Sequence, residues 1–222
     1  MKKTKRILIP FFILLTMAFA HEAYSQVDVE FGVKGGLNLA NLSSDDNADS
    51  DNLGGIDDPS TRTGFHAGLT SDIQVADTFG IGVELLYSQQ GTETDFMVGG
   101  VDAENEFKLD YVTLPVLAKV YLGDAFNLYG GVQPGLVVNA KQVNTVGEIS
   151  TENDLKDDDG DFALVKDADF SIPIGLGYRT DNSFAFDARY TFGTTAVFEG
   201  AENESDSSAK NRVLQISIGY TF

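Results

Sequence analysis

Apolar and polar side chains alternate in long runs from residue 29 to the last residue, and turn-forming residues separate the runs. The final run is the clearest. Leu214, Ile216, Ile218, Tyr220 and Phe222 share one face, while Val213, Gln215, Ser217, Gly219 and Thr221 share the other. A period of two marks a β-strand with one apolar face. Eight such segments occur, near 29–40, 62–75, 79–90, 106–121, 126–139, 168–179, 183–193 and 211–222.

Their connections alternate in length. Three are short and carry turn residues: 76–78, 122–125 around Gly123-Asp124, and 180–182. Four are long: about 41–61, 91–105, 140–167 and 194–210. This order predicts an all-β fold, an eight-stranded antiparallel up-and-down transmembrane β-barrel with four long extracellular loops and three short periplasmic turns. A soluble barrel would show the same alternation with its apolar face inside. That face is too bulky for an eight-stranded lumen, since it carries Phe65, Leu69, Tyr87, Phe126, Phe186, Phe192 and many more. The opposite face is rich in glycine, including Gly32, Gly36, Gly64, Gly68, Gly175 and Gly177, which suits a crowded interior. Aromatic residues also gather at both strand ends. Phe31, Phe79, Phe126, Tyr178, Phe184 and Phe222 lie at the short-turn end, and Phe65, Tyr87, Phe170 and Phe192 at the other. Two such belts are the girdles of a membrane barrel.

The N-terminus agrees. Lys2, Lys3, Lys5 and Arg6 precede the apolar run 7–20, too short to span a bilayer as a helix and typical of a signal peptide. Cleavage fits before His21 or before Gln26. The second leaves the mature chain close to its first strand, so the expected division is a signal peptide at 1–25 and a barrel domain at 26–222. The chain has no Cys and a net charge of −19. The leader carries +3, so the mature chain stands near −22. Such a charge repels nucleic acid.

The inward phase carries Lys34, His66, Asp72, Glu84, Lys119, Asp187 and Arg189. Leaving His66 aside, three acids face three bases, so paired side chains are expected. The set reads either as a salt-bridged plug or as a narrow ion path, and eight strands favour the plug. Pro115 shares the inward phase of the fourth strand with Tyr111, Thr113, Leu117 and Lys119, and its missing N–H predicts a bulge or register change there. His66 has no Ser partner identifiable in the sequence, so it reads as a hydrogen-bonded lumen residue rather than a catalytic base. The acidic run 154–161 meets a calcium-loop pattern only in part: Asp157 and Asp159 fit, but Leu155 and Lys166 occupy the two end positions. A looser, weak divalent-cation site would use Asp157, Asp159 and Asp161, and the alternative is a solvated acidic loop. No cofactor motif appears.

Several segments carry a family likeness: Gly32-Val33-Lys34-Gly35-Gly36-Leu37-Asn38, Thr63 to Gly68, Glu84 to Gly91, Pro115 to Lys119, Phe186 to Tyr190 and Gln215 to Phe222. With them the chain resembles the PorT-like, "porin family" outer-membrane barrels of Gram-negative bacteria. The resemblance implies outer-membrane lipid as surroundings. It also implies insertion by the outer-membrane assembly machinery, with Ile218, Tyr220 and Phe222 as the C-terminal signal. No shared catalytic residues are implied, although some relatives are linked to secretion or gliding. The expected role is structural or interactive, with a narrow channel or an outer-membrane enzyme as alternatives. The extracellular ligand or partner stays open.

Overall fold

The computed structural model describes residues 28–43, 60–155, 165–197 and 209–222. The expected leader at 1–25 and the carboxylates Asp157, Asp159 and Asp161 lie outside the described residues. The described residues form ten strands: β1 (Asp28–Ser43), β2 (Arg62–Ala76), β3 (Phe79–Val98), β4 (Val101–Thr113), β5 (Val116–Leu122), β6 (Phe126–Val146), β7 (Ile149–Asp154), β8 (Ala168–Arg179), β9 (Phe184–Gly193) and β10 (Lys210–Thr221). Every pairing between neighbours is antiparallel. The sheet closes on itself, because β1 pairs with both β2 and β10 while β2 pairs with β3. Closure removes the free edges that an open sheet would present.

The alternation sets which face turns out. Leu37 is 61% exposed and its neighbour Asn38 is 0%. The same contrast runs along β10, where Leu214, Ile216, Ile218 and Tyr220 face out and Val213, Gln215 and Ser217 are buried. An apolar exterior around a polar interior is stable only where lipid replaces water. Aromatic rings pair at both ends of this belt. Phe126 meets Tyr178 at 4.8 Å and Phe184 meets Tyr220 at 5.4 Å beside the short turns. Phe65 meets Tyr87 at 5.8 Å, and Tyr190 meets Phe192 at 4.6 Å, toward the long connections.

Four expectations need correction. The fourth barrel strand is two strands, β4 and β5, interrupted at Leu114 and Pro115. Both halves keep one register against β3. Glu84 N–H donates to Pro115 O and Leu114 N–H to Pro134 O, each at 2.9 Å, so the ladder crosses the gap. The register change falls instead on β6, where Val138 is the extra residue between the Asp110–Asn139 and Tyr111–Val137 pairs.

The segment 91–105 is not a loop. β3 and β4 run on as a hairpin to a turn at Gly99-Gly100. Gly91 looked like a strand end but is a kink inside one. Its φ is +124°, and a Cβ there would stand 1.9 Å from Phe107 O, so only glycine fits. Part of 140–167 is also strand. β6 continues to Val146, turns at Gly147-Glu148, and returns as β7. Together the far ends of β3, β4 and β6, with β7, make a four-stranded sheet that projects beyond the barrel.

Candidate functional site

Side chains fill the lumen in three tiers. The tier nearest the short turns is ionic. Arg189, from β9, holds Glu84 of β3 at 2.8 Å. Lys34, from β1, lies 2.7 Å from Asp187 and 3.3 Å from Glu84. Lys119 of β5 pairs with Asp72 of β2 at 2.5 Å. Arg179 bridges Glu30 at 2.5 Å and reaches Asp72 at 3.7 Å. Four cations thus meet four carboxylates. The expected charged residues other than His66 come together here, and Glu30 and Arg179 join them. Balance lets these charges leave water, and pairing holds strands that are far apart in the chain.

Tyr129 was not singled out in the sequence, yet it sits at the centre of this tier. Its hydroxyl donates to Asp187 and accepts from Arg189 Nε at 3.1 Å. Arg189 also lies over its ring, with Cζ 5.2 Å from the centroid. Gly175 makes the room, because a Cβ there would stand 2.4 Å from the phenol oxygen. Among the described residues Glu84 Oε2 and Arg189 Nη1 find no hydrogen-bond partner. A cavity of about 60 Å³ reaches Lys34, Glu84, Lys119 and Asp187 from the short-turn end. It has room for a few water molecules.

His66 belongs to a separate middle tier. Asn38 Nδ2 donates to Phe65 O at 3.2 Å, Ser88 Oγ at 3.0 Å and Gln89 O at 2.7 Å, which fixes the amide's orientation. Asn38 Oδ1 therefore faces His66 Nδ1 at 2.7 Å and accepts from Gln215 Nε2 at 2.9 Å. His66 Nδ1 then carries the proton, and Nε2 accepts from Ser217 Oγ at 2.8 Å. The Ser partner missing from the sequence reading is Ser217, 151 residues away. These atoms have the order of a Ser–His–Asn relay, but all three residues are buried. Substrate would have to pass another tier from either end.

The third tier, toward the long connections, is apolar. Leu42, Phe107, Leu109, Tyr111, Val137 and Ala140 point inward from β1, β4 and β6. Leu155, Val165, Val197 and Ala209, from the connections, complete the cluster. Leu155 N–H donates to Ala140 O at 3.0 Å and Val197 N–H to Ala209 O at 2.9 Å, tying those segments across the mouth. Sequence reasoning missed this tier, because six of its members, Leu42, Ala140, Leu155, Val165, Val197 and Ala209, lie in stretches read as long connections.

The projecting sheet carries a carboxylate cluster of its own. Ligand oxygens of Glu93, Asp95 and Glu104 lie within 4.8 Å of one another. Burial and the neighbouring charges of Glu104, Asp95 and Glu106 push the Glu93 carboxyl up. Arg62 pairs with Glu106 at 2.6 Å, and Lys108 with Glu106 at 3.0 Å. Burial alone would raise Glu106, but these two cations hold it below the usual carboxylate range.

A closed antiparallel ring, an apolar belt with aromatic girdles and a filled polar lumen define a small outer-membrane β-barrel. The chain belongs to the family of the outer membrane protein beta-barrel domain, whose model matches residues 24–199. It lies in the outer membrane. Among solved structures it is similar to Neisserial surface protein A, with 12% identity over 88% of this chain and 99% of that one, and a TM-score of 0.50. It is also similar to the attachment invasion locus protein Ail of Yersinia pestis, with 16% identity over 88% and 99% and a TM-score of 0.47. A third is outer membrane protein W of E. coli, with 17% identity over 87% and 97% and a TM-score of 0.41. Identities this low show a shared fold alone. None of the curated proteins matches this chain in sequence.

Proposed function

We propose that this protein is a closed barrel with a structural or interaction role at the outer membrane, and that it does not conduct. The observation that carries this reading is the stacking of three filled tiers, with Arg189 1% and Glu84 4% exposed at the ionic one. An ion entering from the short-turn end would have to break balanced pairs and then cross an apolar mouth. The long connections and the projecting sheet then face outward, where a partner would meet them. The resemblance of these segments to PorT-like barrels favours a place beside a secretion or surface apparatus, with insertion directed by Ile218, Tyr220 and Phe222.

A narrow channel is the second reading. The cavity that reaches Lys34 and Glu84, and the unpartnered Glu84 Oε2, favour it. An enzyme is disfavoured, since Ser217 and His66 have no path to substrate. Efflux of potassium chloride from liposomes carrying the refolded protein separates the first two readings. Retention equal to empty liposomes supports the closed barrel, and efflux that falls on Lys34→Ala supports the channel.

A further inference from the structure

The projecting sheet ends in an apolar apex. Met97 is 75% exposed and Ile149 74%, and Phe96, Val101 and Val146 stand beside them with large exposed areas. The apex is held by regular structure. Val146 is paired with Ile149 across one turn and with Ala103 on β4. Gly147 N–H donates to Asp102 O at 2.9 Å, joining the two hairpins. Exposed apolar residues clustered on a hydrogen-bonded tip beyond the barrel mark a contact surface rather than scattered surface residues.

The surroundings of this apex select the partner. A recess of about 480 Å³ is lined by Asp95, Phe96, Met97, Asp102, Ala103 and Glu104. Asp95 stands directly opposite Glu104, and Glu93 opposite Glu106. Like charges on one rung destabilise a sheet. Arg62 and Lys108 offset the lower rung at Glu106. Among the described residues no ion pair offsets Asp95, Asp102 or Glu104. Downstream of the expected leader, the chain's other long segments carry no surplus of cations to supply. Residues 44–59 and 198–208 contain acids and no Lys or Arg, and 156–164 has one Lys against four Asp. A second copy of the chain brings the same acids.

Two strand edges border the tip. Among the described residues β7 pairs only with β6. Among them too, beyond its isolated bridge to Ser60, the end of β3 pairs only with β4. Open edges accept an added strand. We propose that this tip docks an extended segment of a partner protein in which cationic and apolar residues alternate. The apolar residues cover Phe96, Val146 and Ile149 on one face, and the cations neutralise Asp95, Asp102 and Glu104 on the other, the face that Met97 shares. This inference rests on the reading of the barrel as an interaction protein.

The test uses the full mature chain in nanodiscs of zwitterionic phosphatidylcholine, with empty nanodiscs as background. The probe is a fluorescein-labelled octapeptide alternating Lys and Leu, followed by anisotropy. Counterparts alternating Glu and Leu, or Lys and Ser, are run beside it. The Lys-Leu peptide should bind, and the other two should bind at least tenfold more weakly. Asp95→Asn/Asp102→Asn/Glu104→Gln and Phe96→Ser/Met97→Ser should each weaken it at least tenfold. The first variant relieves repulsion and should fold at least as well as the wild type, with heat-modifiable gel migration as the check. Asp157→Asn/Asp159→Asn/Asp161→Asn should leave binding unchanged. Equal binding of the Lys-Ser peptide, or equal loss in the 157–161 variant, would reduce the effect to bulk charge and overturn the proposal. Calcium binding that is lost in the carboxylate variant but kept in Phe96→Ser/Met97→Ser, with displacement of the peptide, would assign the acids to a metal and overturn it too. No peptide binding together with silent bilayers defeats the docking tip alone, whereas conduction by the wild type defeats the closed-barrel reading beneath it.

Discussion

Arg189 and Glu84 stand 105 positions apart in sequence and meet at 2.8 Å inside the lumen, both almost wholly removed from solvent. The pair ties β9 to β3 across the barrel, where no backbone ladder joins them. Removing one member of a buried pair leaves a charge without compensation, at a cost of ~3–5 kcal/mol. Glu84→Gln should lower stability by about that much or somewhat less, because Arg189 then keeps the Tyr129 hydroxyl and, of the nearby carboxylates, Asp187. Arg189→Met should cost less, since Lys34 remains 3.3 Å from Glu84. The double variant should be closer to wild type than the sum of the two. Urea titration of the heat-modifiable band in lipid measures all three, and simple additivity would contradict the coupling.

The seam between β1 and β10 depends on Gly36. A Cβ there would stand 2.0 Å from Ile216 O and 2.8 Å from His66 Cε1, and the backbone oxygen cannot give way. At the neighbouring Gly35 the nearest atom, His66 O, is 3.6 Å away. Gly36→Ala should therefore leave most of the protein unfolded on refolding, while Gly35→Ala should fold as the wild type. The folded fraction on a gel run with and without heating decides between them.

In the middle tier the expected order of damage follows the number of groups stranded. Asn38→Ala takes the side-chain partner from Phe65 O, Gln89 O, His66 Nδ1 and Gln215 Nε2 at once, while Ser88 keeps Gln90, and each group left unsatisfied costs ~1–3 kcal/mol. Ser217→Ala removes a single hydrogen bond to His66 and should cost ~1 kcal/mol. Urea midpoints in that order support a structural network. Ser217→Ala matching or exceeding the Asn38→Ala loss would refute it.

The projecting sheet should respond to pH in two opposed ways. Glu93 is raised in the folded state, first by burial and then by its acidic neighbours, so its charged form costs stability at neutral pH. That cost is relieved as pH falls through its folded pKa. Glu106 is held low by Arg62 and Lys108, so its contribution is present above the unfolded pKa and is lost as pH falls through the lower folded one. Amide protection near Glu93, corrected for intrinsic exchange, should rise from neutral into mildly acidic pH and fall in stronger acid. Glu93→Gln should show the higher protection already at neutral pH, and unchanged protection would contradict the assignment.

The barrel was legible because lipid outside and packed polar groups inside impose a strict period of two, from Leu37 and Asn38 to Tyr220. The projecting sheet was not, because the positions it buries are small or polar, Thr92, Thr94 and Ala103, so no apolar alternation marks them. Gly91, which reads as a break, is a kink enforced by Phe107 O. Charged lumen residues stood out by type, whereas Tyr129, Asn38, Gln215 and Ser217 carry no signal until the strands that hold them are paired. The apolar mouth was hidden for the same reason: Val165 and Val197 lie in short apolar runs inside long connections, and only the fold gathers them with Leu42 and Leu109.

The central claim is that the lumen is closed, and planar-bilayer recording of the refolded, heat-modifiable protein tests it most directly. The account predicts a silent membrane at the wild type, with openings appearing only when the apolar mouth and the ionic tier are both cut back, as in Leu109→Ser/Phe107→Ser/Arg189→Ala. Stable, ion-selective openings of the wild-type protein that change on Lys119→Ala would contradict it and make the lumen charges a conduction path.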